Sequence, residues 1–325
     1  MTKRILVYRP LNEDQLARLE RDFRVDYLPK IDSAEDPAFL DALVNAHGLV
    51  GASLPITPAL LDRAPNLEAI ASISVGYDNY PVDELTRRGI LLCNTPDVLT
   101  ETTADTGFLL IMCAARRAIE LAGMVQRGEW HESIGKEWFG TDVHGKTLGM
   151  VGFGRIGAAI ARRGALASAC GAVFERLAQA RTRGRTRCPA PRTRCPARRG
   201  RHRLRHRALN ADTHHLIGAR EFALMKPSAI FVNVARGKVV DEAALIEALR
   251  AGTPHAAGLD VFEREPLPET SPLRHMPNVV ALPHIGSATH ETRTAMADRA
   301  VANILAALNG EQPPSPVNEV GPTHS

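Results

Sequence analysis

The chain has 325 residues, 44% apolar and 23% charged, which suits a soluble globular protein of about two domains. Its longest apolar stretches, such as Gly107–Ala115, are too short to span a bilayer, and the opening M-T-K-R-I-L-V-Y-R-P lacks a signal-peptide core, so a cytoplasmic protein with no membrane partner is expected. The formal net charge of +4 hides one block, residues 176–207, with thirteen arginines and no acid; without it the charge is −9 (4 − 13), so the positive sum is no nucleic-acid signal, and no nucleic-acid partner is expected.

In chain order, Ile5–Tyr8 reads as a strand and Asn12–Asp22 as a helix. Gly48–Ala52, Ala69–Ser74 and Leu91–Asn94 read as further strands. Strands alternating with helical patterns predict an α/β fold with a parallel sheet. Glu101–Gln126 reads as one long helix, alanine-rich and apolar on one side. A second α/β unit opens at Thr147–Val151, a strand that runs into Gly152-Phe153-Gly154-Arg155-Ile156-Gly157, with Ala158–Arg163 continuing as helix. Ala229–Val234 is the next strand. Asp241 should cap a helix Glu242–Ala251 that stops at Gly252. Ala257–Val261 and Val279–Leu282 are strands, Thr289–Leu308 is a long helix, and the tail from Pro313 should be loose. Five cysteines (Cys93, Cys113, Cys170, Cys188 and Cys195) form no disulfide framework in a chain this long.

Four constellations carry chemistry. The G-x-G-x-x-G run lies between a strand and a helix. There the first glycine permits a tight turn, the second lets backbone approach a pyrophosphate, the third lets helix and strand pack, and the helix N-terminus attracts the anion. Arg236 follows an apolar strand, where a guanidinium can hold a carboxylate with two parallel bonds and polarise a neighbouring carbonyl. His284 ends another strand, and its imidazolium is a proton donor suited to a ketone oxygen near neutral pH. Glu265 could bond the other ring nitrogen and fix the tautomer. Ser74-Val75-Gly76-Tyr77-Asp78-Asn79 leaves a strand through a glycine and offers backbone N–H groups to a carboxylate. Singly, each has a plain structural reading: a ligand-free turn, a surface ion pair, a core histidine, a solvated glutamate. Their combination favours a nicotinamide-dependent reductase of 2-keto acids.

With those residues in place, the chain resembles the D-isomer-specific 2-hydroxyacid dehydrogenases, most of all the branch of glyoxylate/hydroxypyruvate reductases and 2-ketogluconate reductases. The matching phrases are S-V-G-Y-D-N (74–79), N-T-P-D-V-L-T-E-T-T-A-D (94–105), H-G-K-T-L-G-M-V-G-F-G-R-I-G (144–157), V-N-V-A-R-G (232–237), G-L-D-V-F (258–262) and L-P-H-I-G-S-A-T (282–289). The resemblance implies two Rossmann-like domains with parallel sheets and an interdomain cleft: a substrate domain of 1–101 and 285–325, and an NAD(P)-binding domain of 102–284. It implies Arg236, Glu265 and His284 as the catalytic set, with Arg236 on the substrate carboxylate, His284 as acid/base and Glu265 as its partner. Val75, Gly76 and Trp138 would also meet substrate, Trp138 by reaching a neighbouring subunit's site, hence a homodimer; a core tryptophan is the competing reading. Thr103, Gly152, Gly154, Arg155, Ile156, Gly157, Ala235, Asp260 and Gly286 would line the coenzyme. No metal is called for. The rival from another class is a nucleotide-sensing binding protein.

Between Ala167 and Arg207 the resemblance vanishes. This stretch should hold the second strand, then a helix and two more strands, yet it is arginine-rich, and Pro189, Pro191 and Pro196 forbid a central strand. An irregular segment is expected. A nucleic-acid-binding insertion lacks aromatics for stacking after Phe174, and Cys188, Cys195, His202 and His206 have the wrong spacing for a zinc finger. We read the stretch as a compensated frameshift. Synonymous codons for Ala167–Arg176 can be chosen so that one shifted frame reads F-G-M-R and the other V-L-Y-S-N. Codons for Arg201–Leu209 can read D-I-V-C-V-T-V-P. The hidden S-N ending has no acid to bind a ribose hydroxyl, which favours NADP(H) over NAD(H). A chain carrying the shift could be inactive.

Overall fold

A computed structural model describes residues 2–31, 33–167, 173–175 and 213–320. The chain divides into two compact units, Met1–Leu99 with Ala288–Ser325, and Thr100–Ser287.

The first unit runs β1 (Arg4–Val7), α1 (Glu13–Glu20), β2 (Arg24–Tyr27), α2 (Pro37–Leu43), β3 (Gly48–Gly51), α3 (Pro58–Leu61), β4 (Ala69–Ser72), α4 (Val82–Arg87) and β5 (Leu91–Cys93). Its five strands form one parallel sheet in the order β2-β1-β3-β4-β5, with Ile5 beside Gly48, Gly48 beside Ala69 and Ala69 beside Leu91. Residues 5–7 of β1 and all of β3 and β4 are buried, as a parallel sheet covered on both faces requires. Leu6, Tyr8, Phe39, Leu49, Ile70 and Leu92 fill the core on one face. Asn12 starts α1 through a capping box, accepting from Gln15 N at 2.9 Å while Gln15 Oε1 accepts from Asn12 N at 3.0 Å. β2 escaped the sequence pattern because R-V-D-Y is a polar edge strand, tied to β1 by an Arg4–Asp26 ion pair of 2.7 Å. α2, α3 and α4 are too short to show a helical period.

The second unit opens with α5 (Thr100–Arg116) and α6 (Ala118–Gln126). The single helix expected over 101–126 is thus two. Arg117 takes a left-handed conformation (φ 53°), and its guanidinium pairs with Glu120 at 2.8 Å and covers the Trp138 ring at 5.2 Å, which fixes the break. There follow β6 (Gly149–Val151), α7 (Arg155–Ala167), β7 (Val173–Glu175), α8 (Ala219–Ala223), β8 (Ile230–Asn233), α9 (Glu242–Arg250), β9 (Ala256–Leu259) and β10 (Val279–Ala281). Asp241 caps α9 by accepting from Ala244 N at 2.9 Å, and Gly252 ends it at φ 77°. The strands form two parallel sheets, β10-β9-β8 and β6-β7. β7 corrects the expectation of an irregular 167–207: Val173 and Phe174, good strand formers, pair beside Gly149 and Met150. The rest of that stretch, with its proposed zinc ligands, lies outside the described residues. Among the described residues no strand joins β6 to β8, and Gly149 and Val151 are exposed.

The chain then returns to the first unit as α10 (His290–Leu308), capped by Thr289. Gly48 lets α10 close on the sheet, since a Cβ there would sit 2.9 Å from Ile304 Cδ1. The tail is not loose as far as Val320. Ser315 and Asn318 are buried, Asn318 Oδ1 accepts from Leu92 N at 2.7 Å, and Val317 N donates to Leu92 O at 2.7 Å. The tail covers the open edge of β5, whose backbone groups need partners. Among the described residues no helix is long and apolar enough to cross a membrane.

Candidate active site

β6 delivers the chain into the glycine turn. Gly152 has φ 83°, where a side chain would strain, and a Cβ on Gly157 would lie 2.7 Å from Gly152 O, so only glycine fits either place. α7 begins at Arg155, two residues before Gly157, and is held against α5 by Gly107, whose missing Cβ leaves room for Ile160. Arg163 reinforces that packing with bonds to Glu101 and Asp105 at 2.8 Å. A strand, a left-handed glycine and an open helix N-terminus in sequence fit the pyrophosphate of a dinucleotide. Ile156 is half-buried against α5.

Arg236 stands at the end of β8 on a loop shaped by Asn233, a residue the sequence reading did not single out. Asn233 Oδ1 accepts from Ala235 N at 3.0 Å, and its Nδ2 donates to Arg236 O at 3.0 Å. An asparagine closing an apolar strand is the signal that could have found it. Gly237 follows because a Cβ there would overlap the Phe262 carbonyl, so the Arg236 loop lies directly on the segment leading to Glu265.

Glu265 and His284 meet. His284 Nδ1 lies 2.7 Å from Glu265 Oε2, and Glu265 Oε1 accepts from Phe262 N at 3.0 Å. Burial pushes the Glu265 carboxyl up, but the His284 and Phe262 hydrogen bonds, with the His284 and Arg236 charges, outweigh it and hold the group below the usual range. Glu265 is therefore ionised at neutral pH beside the imidazole, and Arg236 is near enough to act on it. His284 sits at φ 54°, strain of the kind that accumulates where a side chain is aimed.

Asp260 holds the loop that carries His284. It is buried and accepts from Ile285 N at 2.7 Å and Gly286 N at 2.8 Å; burial raises its pKa, and these two donors oppose the rise. Thr103 Oγ1 donates to Gly286 O at 2.9 Å. Thr103, Asp260 and Gly286 thus form one cluster, and their visible work is to fix the turn after β10.

Val75 and Gly76 belong to the first unit, past the end of β4. Val75 O accepts from Asn94 Nδ2 at 2.8 Å, and neither residue's N–H donates to an acceptor among the described residues. Trp138 is half-buried beneath Arg117.

The family described as "D-isomer specific 2-hydroxyacid dehydrogenase, NAD binding domain" matches residues 108–286, more than half of the chain. The chain belongs to the D-isomer specific 2-hydroxyacid dehydrogenases, a family of NAD(P)-dependent oxidoreductases. It is 49% identical over 98% of both chains to glyoxylate/hydroxypyruvate reductase B of Escherichia fergusonii, and 48% identical over 95% of both to that of Yersinia enterocolitica. Among solved structures it is similar to a Thermus thermophilus protein (38% identity, TM-score 0.82, 97% of this chain and all of that one). It is also similar to the NADPH-dependent glyoxylate/hydroxypyruvate reductase of Sinorhizobium meliloti bound to NADP and malonate (33% identity, TM-score 0.77, 98% and 97% covered).

Proposed function

We propose that the chain reduces small 2-keto acids (glyoxylate, hydroxypyruvate or 2-ketogluconate) to D-2-hydroxy acids. The observation that carries this reading is the 2.7 Å His284–Glu265 pair beside Arg236, on the unit that holds the glycine turn. Arg236 binds the substrate carboxylate and draws charge toward the carbonyl oxygen; in the first unit, the Val75 and Gly76 N–H groups are candidate carboxylate donors. His284, held by Glu265, gives its proton to that oxygen as the alcohol forms. The glycine turn would hold the pyrophosphate of a reduced nicotinamide dinucleotide, which when bound would supply the hydride. The test is NADPH oxidation, followed by absorbance, with each of the three keto acids. Turnover of at least one is expected, and none with any would refute the reading.

NADP(H) is the proposed coenzyme, on the hidden S-N phrase and the S. meliloti relative's NADP.

A homodimer is proposed through the exposed Ile119, Val125, Trp130, Ile134 and Phe139 of the second unit, an apolar group of the kind that marks interfaces. Light scattering should give twice the 35.3 kDa chain mass. A second reading, an impaired enzyme, is favoured by the exposed Gly149 and Val151 of β6 and by the absence, among the described residues, of a strand joining β6 to β8.

A further inference from the structure

We propose that Arg9 is a specificity-determining residue, which receives the end of the substrate remote from its carboxylate. The inference rests on the 2-keto acid reading above and concerns the first unit alone. Arg9 is the second residue past β1, at the carboxyl edge of a parallel sheet, where ligands of α/β proteins gather. The ladder continues beyond the named strands: Tyr8 N donates to Val50 O at 3.0 Å, and Ile73 N donates to Gly51 O at 2.8 Å. Arg9, Ala52 and Ile73 therefore stand level across β1, β3 and β4, and from Ile73 the chain passes at once into Val75 and Gly76.

Two strand spacings put Arg9 about 10 Å from that turn, backbone to backbone, which suits a keto acid of about four to six carbons lying along the edge. The edge is strained as binding edges are. Ser53 after β3 and Asp97 after β5 both hold left-handed conformations, at φ 63° and 74°.

Arg9 itself is half-buried, and among the described residues it makes no hydrogen bond or ion pair. A guanidinium has five N–H donors and no acceptor, so it calls for oxygen. The buried hydroxyls of Tyr8, Arg9's neighbour in sequence, and Tyr80 lie 3.5 Å apart. Burial raises the pKa of both, and the Arg9 charge opposes the rise. A cation at this edge suits a hydroxylated or anionic tail and gives nothing to glyoxylate, which has no tail.

The test compares the full chain with its Arg9→Met and Arg9→Lys variants, reading kcat/KM for 2-ketogluconate relative to glyoxylate. The ratio should fall about tenfold or more in Arg9→Met, chiefly through KM, with part regained in Arg9→Lys. An unchanged ratio, or an equal loss on both substrates, would overturn the proposal. If the chain turns over neither substrate, the function reading has failed, and calorimetric binding of 2-ketogluconate decides instead. Weaker binding by Arg9→Met supports the role of Arg9. Equal binding by both proteins, or binding by neither, overturns it.

Discussion

The two units handle their sheets differently. In the first, β1, β3 and β4 each have a partner on both sides and lie buried, and even the open edge of β5 is covered by the returning tail. In the second, β6 has a partner on one side only among the described residues, and Val151, the residue before the glycine turn, is 54% exposed. A parallel strand gains its stability from burial on both faces and pairing at both edges. The contrast falls where the composition changes, after Glu175. The loops that carry Arg236, Asp260 and His284 keep their own hydrogen bonds, while among the described residues the strand that presents the glycine turn is paired on one side only.

The sharpest way to break this comparison is to restore the reading frame across codons 168–208. If the second unit lacks strands that the gene once encoded, the restored chain should bind NADPH about a hundredfold more tightly or better, because a competent fold populated only in part lowers apparent affinity by that fraction. Equal affinities by fluorescence titration would remove the frameshift reading. His284→Gln in the restored chain should lower kcat by about 10²–10⁴-fold with NADPH affinity kept, read by stopped flow. In the first unit, Asn303→Ala removes a buried side chain that donates to Asn94 O at 2.9 Å and accepts from Ser315 N at 3.1 Å. It should cost about 1–3 kcal/mol in urea unfolding. Gly157→Ala forces a shift of the glycine turn and should weaken NADPH binding about tenfold; an unaltered affinity would place the coenzyme elsewhere.

Where pattern and burial coincide, the sequence was readable. The apolar runs at β1, β3, β4, β8, β9 and β10 mark their strands because both faces are covered. β2 was not readable, since an edge strand needs no apolar run. Nor was the break at Arg117, which depends on Glu120 and on Trp138, twenty-one residues along the chain. The tail reads as loose from its prolines, and only Ser315, Val317 and Asn318 finding partners on β5 and α10 tie it down. At the site, Arg236, Glu265 and His284 were legible from residue type and order. The supports were less so: Asn233 is marked only by its place at the end of an apolar strand, and the hold of Asp260 on the His284 loop runs through backbone groups that residue type does not show.

The most direct measurement of the central claim is the configuration of the alcohol that the restored chain makes from hydroxypyruvate and NADPH. With Arg236 holding the carboxylate and His284 the ketone oxygen, a single face of the ketone should meet the hydride, and for a member of this D-isomer specific family the product should be D-glycerate alone. L-glycerate, a racemate, or no glycerate at all would contradict the assignment of these residues.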